Sequence, residues 1–249
     1  MRFLFVLLAA FLLKPSFAAD ASSPRLVMFI GLDISGSFVN GKYYEDSMHF
    51  LAQYLHAHLE GLGGLEKPTA LFVGSLGGVT QKEPKSFYPI QTFQGESVEG
   101  IEKKLSEYFP KNKLDPNTDF NAFFSQVATT VKNRKLILKP ISVVLLSDGI
   151  PDIKGKTGNS LYRSIDMSPL ESLSRSVTVR LLYTDARVAQ SWQNLVPRTR
   201  VKMWTQDAVV MATWKDPKIL KRGLAENQHE FFAWLKDNVD FNPRIQRVR

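Results

Sequence analysis

The chain has 249 residues, 44% of them hydrophobic and 22% charged, with a formal net charge of +8 and no cysteine. This length suits a single domain with a full core. The missing cysteine excludes a disulfide framework and a lipid-modified cysteine, and the absence of any Asn-x-Ser/Thr acceptor adds to a picture that favours a bacterial envelope compartment.

In chain order, Met1-Arg2 is a short basic start and Phe3 to Leu13 an unbroken apolar run of 11 residues. A bilayer span needs about 20 apolar residues, so this run reads as a secretory signal peptide over residues 1–18, cut after Ala18 or after Ala21. The alternative is a retained membrane anchor. Removing residues 1–18 takes away Arg2 and Lys14 and no acid, which leaves +6. An exported chain of this kind belongs in the periplasm or is secreted. Residues 25–240 are expected to form one domain, followed by a basic tail over 241–249.

Leu26–Leu32 is a continuous apolar segment, as expected for a strand covered on both faces. Met48, Leu51, Leu55, Leu59 and Leu62 then recur every three or four residues, the stripe of an amphipathic helix with His49, Gln53, His56 and Glu60 on its wet side. Ala70–Gly74 predicts a second strand, residues 86–94 an edge strand containing Pro89, and Val98–Tyr108 a helix. Asp115-Pro116-Asn117 makes a turn into a helix bearing Phe120, Phe123, Phe124, Val127 and Val131, with Asp119 as its cap. Ile141–Leu146 predicts a buried strand, residues 150–165 a loop and Pro169–Leu173 a short helix. Val177–Tyr183 predicts a strand, residues 185–195 a helix and Val201–Thr205 the last strand. Residues 206–214 fit a hairpin or a helix. A final helix is expected over 224–239, with Leu224, Phe231, Leu235 and Val239 inward. The alternation predicts a doubly wound, Rossmann-like α/β fold: a mostly parallel sheet, one antiparallel edge strand, helices on both faces.

Three places gather oxygen ligands at the carboxyl ends of predicted strands, where such sheets bind ligands. They are Asp33-Ile34-Ser35-Gly36-Ser37, Thr118 before the Phe-rich helix, and Asp148 within Ser147-Asp148-Gly149. Two carboxylates with three hydroxyls make an all-oxygen set suited to Mg²⁺, with Mn²⁺ or Ca²⁺ as alternatives, rather than to zinc. In this order and context, Asp33-x-Ser35-x-Ser37, Thr118 and Asp148 resemble the metal-ion-dependent adhesion site of von Willebrand factor A domains, over about residues 25–240. The resemblance implies that Ser35 and Ser37 coordinate the metal directly, that Asp33 and Asp148 do so directly or through water, and that Thr118 enters or leaves as the site changes state. It also implies a partner protein whose Asp or Glu carboxylate completes the metal's shell, and adhesion rather than catalysis. No nucleophile motif stands beside the site, so no enzyme activity is expected.

Weaker signals remain. His49 and His56 share a helical face with Glu45, and His58 is close by; the simpler reading is a solvated surface. Asp152 is placed to rim the site. Lys215–Arg222 and Arg244–Arg249 are basic; solvated ends explain them, and contact of the tail with an anionic membrane surface is the sharper alternative. Nucleic acid is not an expected partner. Two rivals share parts of the pattern: a metal-independent scaffold of the same fold, and an actin-like ATPase, which would need two related domains.

Overall fold

The computed structural model describes residues 25–76, 86–112 and 117–243. The expected signal peptide, the Asp115-Pro116 turn and the tail from Arg244 onward lie outside the described residues. No helix among those residues is long and apolar enough to cross a membrane.

Six strands form one sheet: β1 (Val27–Asp33), β2 (Ala70–Leu76), β3 (Tyr88–Pro89), β4 (Ile141–Leu146), β5 (Val177–Thr184) and β6 (Lys202–Asp207). Their order is β3-β2-β1-β4-β5-β6. All neighbours are parallel except β3, which pairs antiparallel to β2. This is the doubly wound arrangement expected from the alternation of segments. The edge strand is shorter than expected: after Pro89 the chain turns into a 3-10 helix, Ile90–Thr92. Proline has no N–H to offer a ladder, and the pairing stops there.

The helices are α1 (Gly36–Val39), α2 (Tyr44–Glu60), α3 (Val98–Tyr108), α4 (Phe120–Asn133), α5 (Asn159–Arg163), α6 (Ser168–Glu171), α7 (Ala186–Leu195), α8 (Ala208–Met211) and α9 (His229–Asn238). Strand residues alternate between the two faces. Met28, Ile30 and Leu32 of β1 join the core that holds Phe50 and Leu51 of α2, Ile101 of α3 and Phe231 of α9. Val27 and Phe29 join the other core, with Phe123 and Phe124 of α4 and Trp192 of α7. Gly31 faces the α4 side, and a Cβ there would stand 2.6 Å from Leu76 and 2.9 Å from Phe123. Gly31→Val should therefore lower stability by about 1–3 kcal/mol through overpacking. Urea denaturation checks this, and an unchanged midpoint would show that α4 has room to move.

Four expectations are corrected. Leu224 is 69% exposed, because the last helix begins only at His229, after a 3-10 turn over Ala225–Asn227. The loop 150–165 carries the short helix α5. Residues 206–214 form neither a hairpin nor one helix: β6 runs to Asp207, then α8 and a 3-10 turn, Ala212–Lys215, follow. His58 is buried, not solvated. Its ring nitrogens face Glu66 O at 3.0 Å and Asp240 Oδ2 at 3.0 Å. The basic run Lys215–Arg222 is partly paired, Lys215 with Asp46 and Lys221 with Glu230.

Candidate functional site

β1 ends at Asp33, which by alternation follows Val27, Phe29 and Gly31 onto the α4 face. Ser147, just past β4, continues the set Ile141, Val143 and Leu145 onto that same face. β1 and β4 are hydrogen-bonded neighbours from which the chain winds in opposite directions, so their carboxyl ends open the crevice of the sheet.

The groups at this point are tightly connected. Ser147 Oγ donates to Asp33 Oδ2 at 2.5 Å, and the Ser35 N–H donates to Asp33 Oδ1 at 2.8 Å. Thr118 Oγ1 reaches Asp33 Oδ1 at 3.4 Å. Ser35 caps α1 with an extended backbone, Ser37 lies in the helix's first turn, and their hydroxyl oxygens are 3.1 Å apart. Thr118 is held from both sides: its carbonyl accepts from the Asp152 N–H at 3.0 Å, while Asp119 caps α4 by accepting from the Ala122 N–H at 2.9 Å. Asp152 thus supports the site through its backbone.

Asp148 sits half-buried at the edge of the cluster, where its Oδ1 accepts from the Ile150 N–H at 3.0 Å. The turn that presents it needs Gly149, whose φ is +77° and whose Cβ would meet Leu181 and Val188 at 2.9 Å. The Gly149 N–H donates to Ser147 Oγ at 2.9 Å, and its carbonyl accepts from Trp192 Nε1 at 2.7 Å. So the structure joins Asp33, Ser35, Ser37 and Thr118 in one hydrogen-bonded cluster and places Asp148 beside it. Ser147 belongs to the same cluster, a role the sequence reading had not assigned. Its position next to Asp148 at the end of a buried strand was the available signal.

Electrostatics sets this cluster apart. Asp33 is fully buried and forms no ion pair among the described residues. Burial pushes its carboxyl up from 3.8 to about 6; the Ser147 and Ser35 hydrogen bonds pull it down, and the Asp148 charge adds to the rise. Among the described residues no three His, Asp or Glu side chains converge as a metal cluster. The donor set here is two carboxylates with hydroxyls, and a buried carboxylate without a cation, ringed by neutral oxygens, fits a hard dication. The histidines lie elsewhere: His49 pairs with Glu102 at 2.9 Å and His56 Nδ1 lies 3.1 Å from Glu96 O.

No family model matches the chain, and no curated protein matches it. Among solved structures it is similar to the proximal thread matrix protein 1 of the mussel byssus with a zinc-occupied MIDAS motif, at 13% identity and a TM-score of 0.46, over 76% of this chain and 46% of that one. It is similar to the pilus adhesin SpaC of Lactobacillus rhamnosus GG at 13% identity and a TM-score of 0.45, over 78% of this chain and 29% of that one. A third likeness is to the manganese-loaded TRAP protein of Plasmodium vivax, at 13% identity and a TM-score of 0.44, over 78% of this chain and 73% of that one. The chain spans less than half the length of the first two.

Proposed function

We propose that this chain binds one divalent cation through Asp33, Ser35, Ser37, Thr118 and Asp148, and uses it to hold an Asp or Glu carboxylate of a partner protein. Mg²⁺ is the first choice of metal, with Mn²⁺ or Ca²⁺ as competitors. The observation that carries the reading is Asp33, a buried carboxylate at the sheet's crevice with hydroxyl neighbours and, among the described residues, no cation beside it. Two carboxylates balance a dication and leave it able to take one more anionic oxygen. Such a bound metal would supply electrostatic attraction alone. Ser35, Ser147 and Thr118 would set the orientation of Asp33, and the Gly149 turn that of Asp148. The proposal assigns the site no catalysed reaction, because the base in contact with the hydroxyls is Asp33, itself a ligand. It places the protein in the periplasm or outside the cell, in an adhesive or assembly role.

Calorimetric titration with MgCl₂ and MnCl₂ tests the metal. One saturable site is expected, lost in Asp33→Ala and Asp148→Ala. Ser147→Ala should weaken it by about 10–100-fold, as loss of a ligand's hydrogen-bond partner does. Capture of partners from an envelope extract in Mg²⁺ and in EDTA tests the bridge. Equal retention in both would replace it with a metal-independent scaffold.

A further inference from the structure

The five parallel strands give the molecule two chemically opposite poles. At the carboxyl pole β1, β4, β5 and β6 end at or beside Asp33, Asp148, Asp185 and Asp207. At the amino pole the residues leading into the strands are basic: Arg25 before β1, Lys67 before β2, Lys139 before β4, Arg175 before β5 and Arg200 before β6.

The α4–β4 connection projects from this amino pole. The end of α4 and the connection carry Lys132, Arg134, Lys135 and Lys139, and no acid occurs between Phe120 and Ser147. None of these four cations forms an ion pair among the described residues. Between them stand Ile137, 46% exposed, and Leu138, 73% exposed. Val209 and Val210 at the other pole are also open, 67% and 36%, but the Ile137–Leu138 pair alone is bracketed by cations, the combination that marks a contact site.

The connection is held in place. The Leu138 N–H donates to Leu173 O at 2.9 Å, the Leu136 N–H to Val131 O at 2.9 Å, and the Val27 N–H to Pro140 O at 2.9 Å. Lys135 and Leu138 both adopt positive φ, +57° and +71°, a conformation that leucine rarely takes. The backbone thus keeps an aliphatic side chain outward where asparagine or glycine would sit more easily. Acids nearby are engaged internally: Glu171 accepts from the Thr199 and Arg200 backbone, Glu66 from the Leu26 N–H, and Asp240 from His58.

We propose that this pole docks on an anionic lipid bilayer, with Lys132, Arg134, Lys135 and Lys139 at the headgroups and Ile137 and Leu138 inserted below them. Charge favours lipid over protein: two open aliphatic side chains lie between cations on both sides in the chain, with no acid among them. One weak apolar insertion and one polybasic patch together make a membrane contact that neither makes alone. Docked this way, the carboxyl pole with its candidate metal site faces away from the membrane, toward a partner in the aqueous phase. The inference is independent of metal binding, since it rests on the opposite end of the sheet.

The test uses the full chain, whose lack of cysteine permits a single environment-sensitive label at Leu138→Cys, with Val209→Cys on the carboxyl pole as control. Vesicles are phosphatidylcholine alone or equimolar phosphatidylcholine and phosphatidylglycerol. The label at 138 should shift to the blue and be quenched by lipid-borne spin labels on the anionic vesicles only, while the label at 209 stays unchanged. Replacing Lys132, Lys135 and Lys139 by Gln should weaken this response by roughly a hundredfold, at the usual contribution per basic residue. Ile137→Ser with Arg134 and the lysines intact should remove most of the quenching. A label at 138 that is silent on anionic vesicles overturns the proposal, even if the chain binds them through its first residues. A response at 138 to soluble polyglutamate and not to vesicles overturns it in favour of an acidic protein.

Discussion

Asp33→Asn is expected to make the metal-free protein more stable at pH 7.5, not less. The sign follows from the carboxyl's displacement. Its folded pKa of about 6 lies above its ordinary 3.8, so the stability linked to its proton is present below 3.8 and is lost as pH rises to about 6. Above that, the folded protein carries a deficit of about 3 kcal/mol for holding the ionised group in its buried place. Asparagine mimics the protonated form: it can accept from the Ser35 N–H and donate toward Ser147 Oγ without carrying charge. In EDTA the variant should melt roughly 6–10 °C above the native protein at pH 7.5, and the gap should close near pH 4. Saturating Mg²⁺ should raise the native protein by about 2.7 kcal/mol at a hundred times its dissociation constant and leave the variant unmoved. An Asn variant less stable than the native protein in EDTA would mean that the ionised carboxylate supports the fold without a metal.

Asp240→Ala should be among the most damaging single substitutions. Asp240 follows α9 and joins the chain's last described segment to the core: it accepts from Tyr54 at 2.8 Å and pairs with His58 at 3.0 Å. Arg180 lies alongside, donating to Val239 O, Phe241 O and Ser142 Oγ. The other ring nitrogen of His58 faces a carbonyl, which only accepts, so both ring nitrogens have acceptors, an arrangement that favours the protonated ring. Burial is the largest influence and pushes this group down, but the Asp240 charge and the hydrogen bonds to Asp240 and Glu66 together outweigh it, leaving the net direction upward. Burial pushes Asp240 up, and the charges of His58 and Arg180 outweigh it, leaving it below 3.8. Removing the carboxylate strands two buried cations, a loss of about 3–5 kcal/mol. The sign differs for the two partners. The His58 contribution is complete below 6.5 and lost as pH rises through its raised value; the Asp240 contribution is complete above 3.8 and lost as pH falls through its lowered value. The penalty of Asp240→Ala, read by urea denaturation, should therefore peak between about pH 4 and 6.5 and shrink on the alkaline side. A flat profile would show the pair to be uncharged in the native state.

The sheet and the metal-site candidates were legible because both are written in local runs. β1 and β4 are almost wholly apolar runs with Asp33 and Asp148 at their carboxyl ends, while β5 keeps an apolar character around Thr178 and Arg180. What was hidden depends on tertiary packing. His58 sits at a helical position that reads as surface, and is buried only because Asp240, far along the chain, comes to meet it. Strand alternation alone would put Tyr183 on the same face as Leu181. A positive φ of +76° and a register shift before Thr184 turn it to the α2 side, where its hydroxyl donates to Asp46 at 2.8 Å. No run of residues announces such a bulge. Leu224 was assigned inward because its spacing continues the α9 pattern, but the 3-10 turn Ala225–Asn227 lies between it and the start of α9 at His229.

β1 lies between β2 and β4, yet the second of these partners arrives late. Its last residue, Asp33, precedes Ser147 by 114 positions. During synthesis this strand, buried at every position, must therefore wait with one edge unpaired while the intervening helices are made. Such an edge invites pairing with other chains, and contacts of this separation form slowly. The Asp33–Ser147 hydrogen bond can close only when β4 docks, so it belongs to a later stage of assembly than the β1–β2 pairing. The nascent protein is accordingly a natural client for a holding chaperone until Leu146 has emerged.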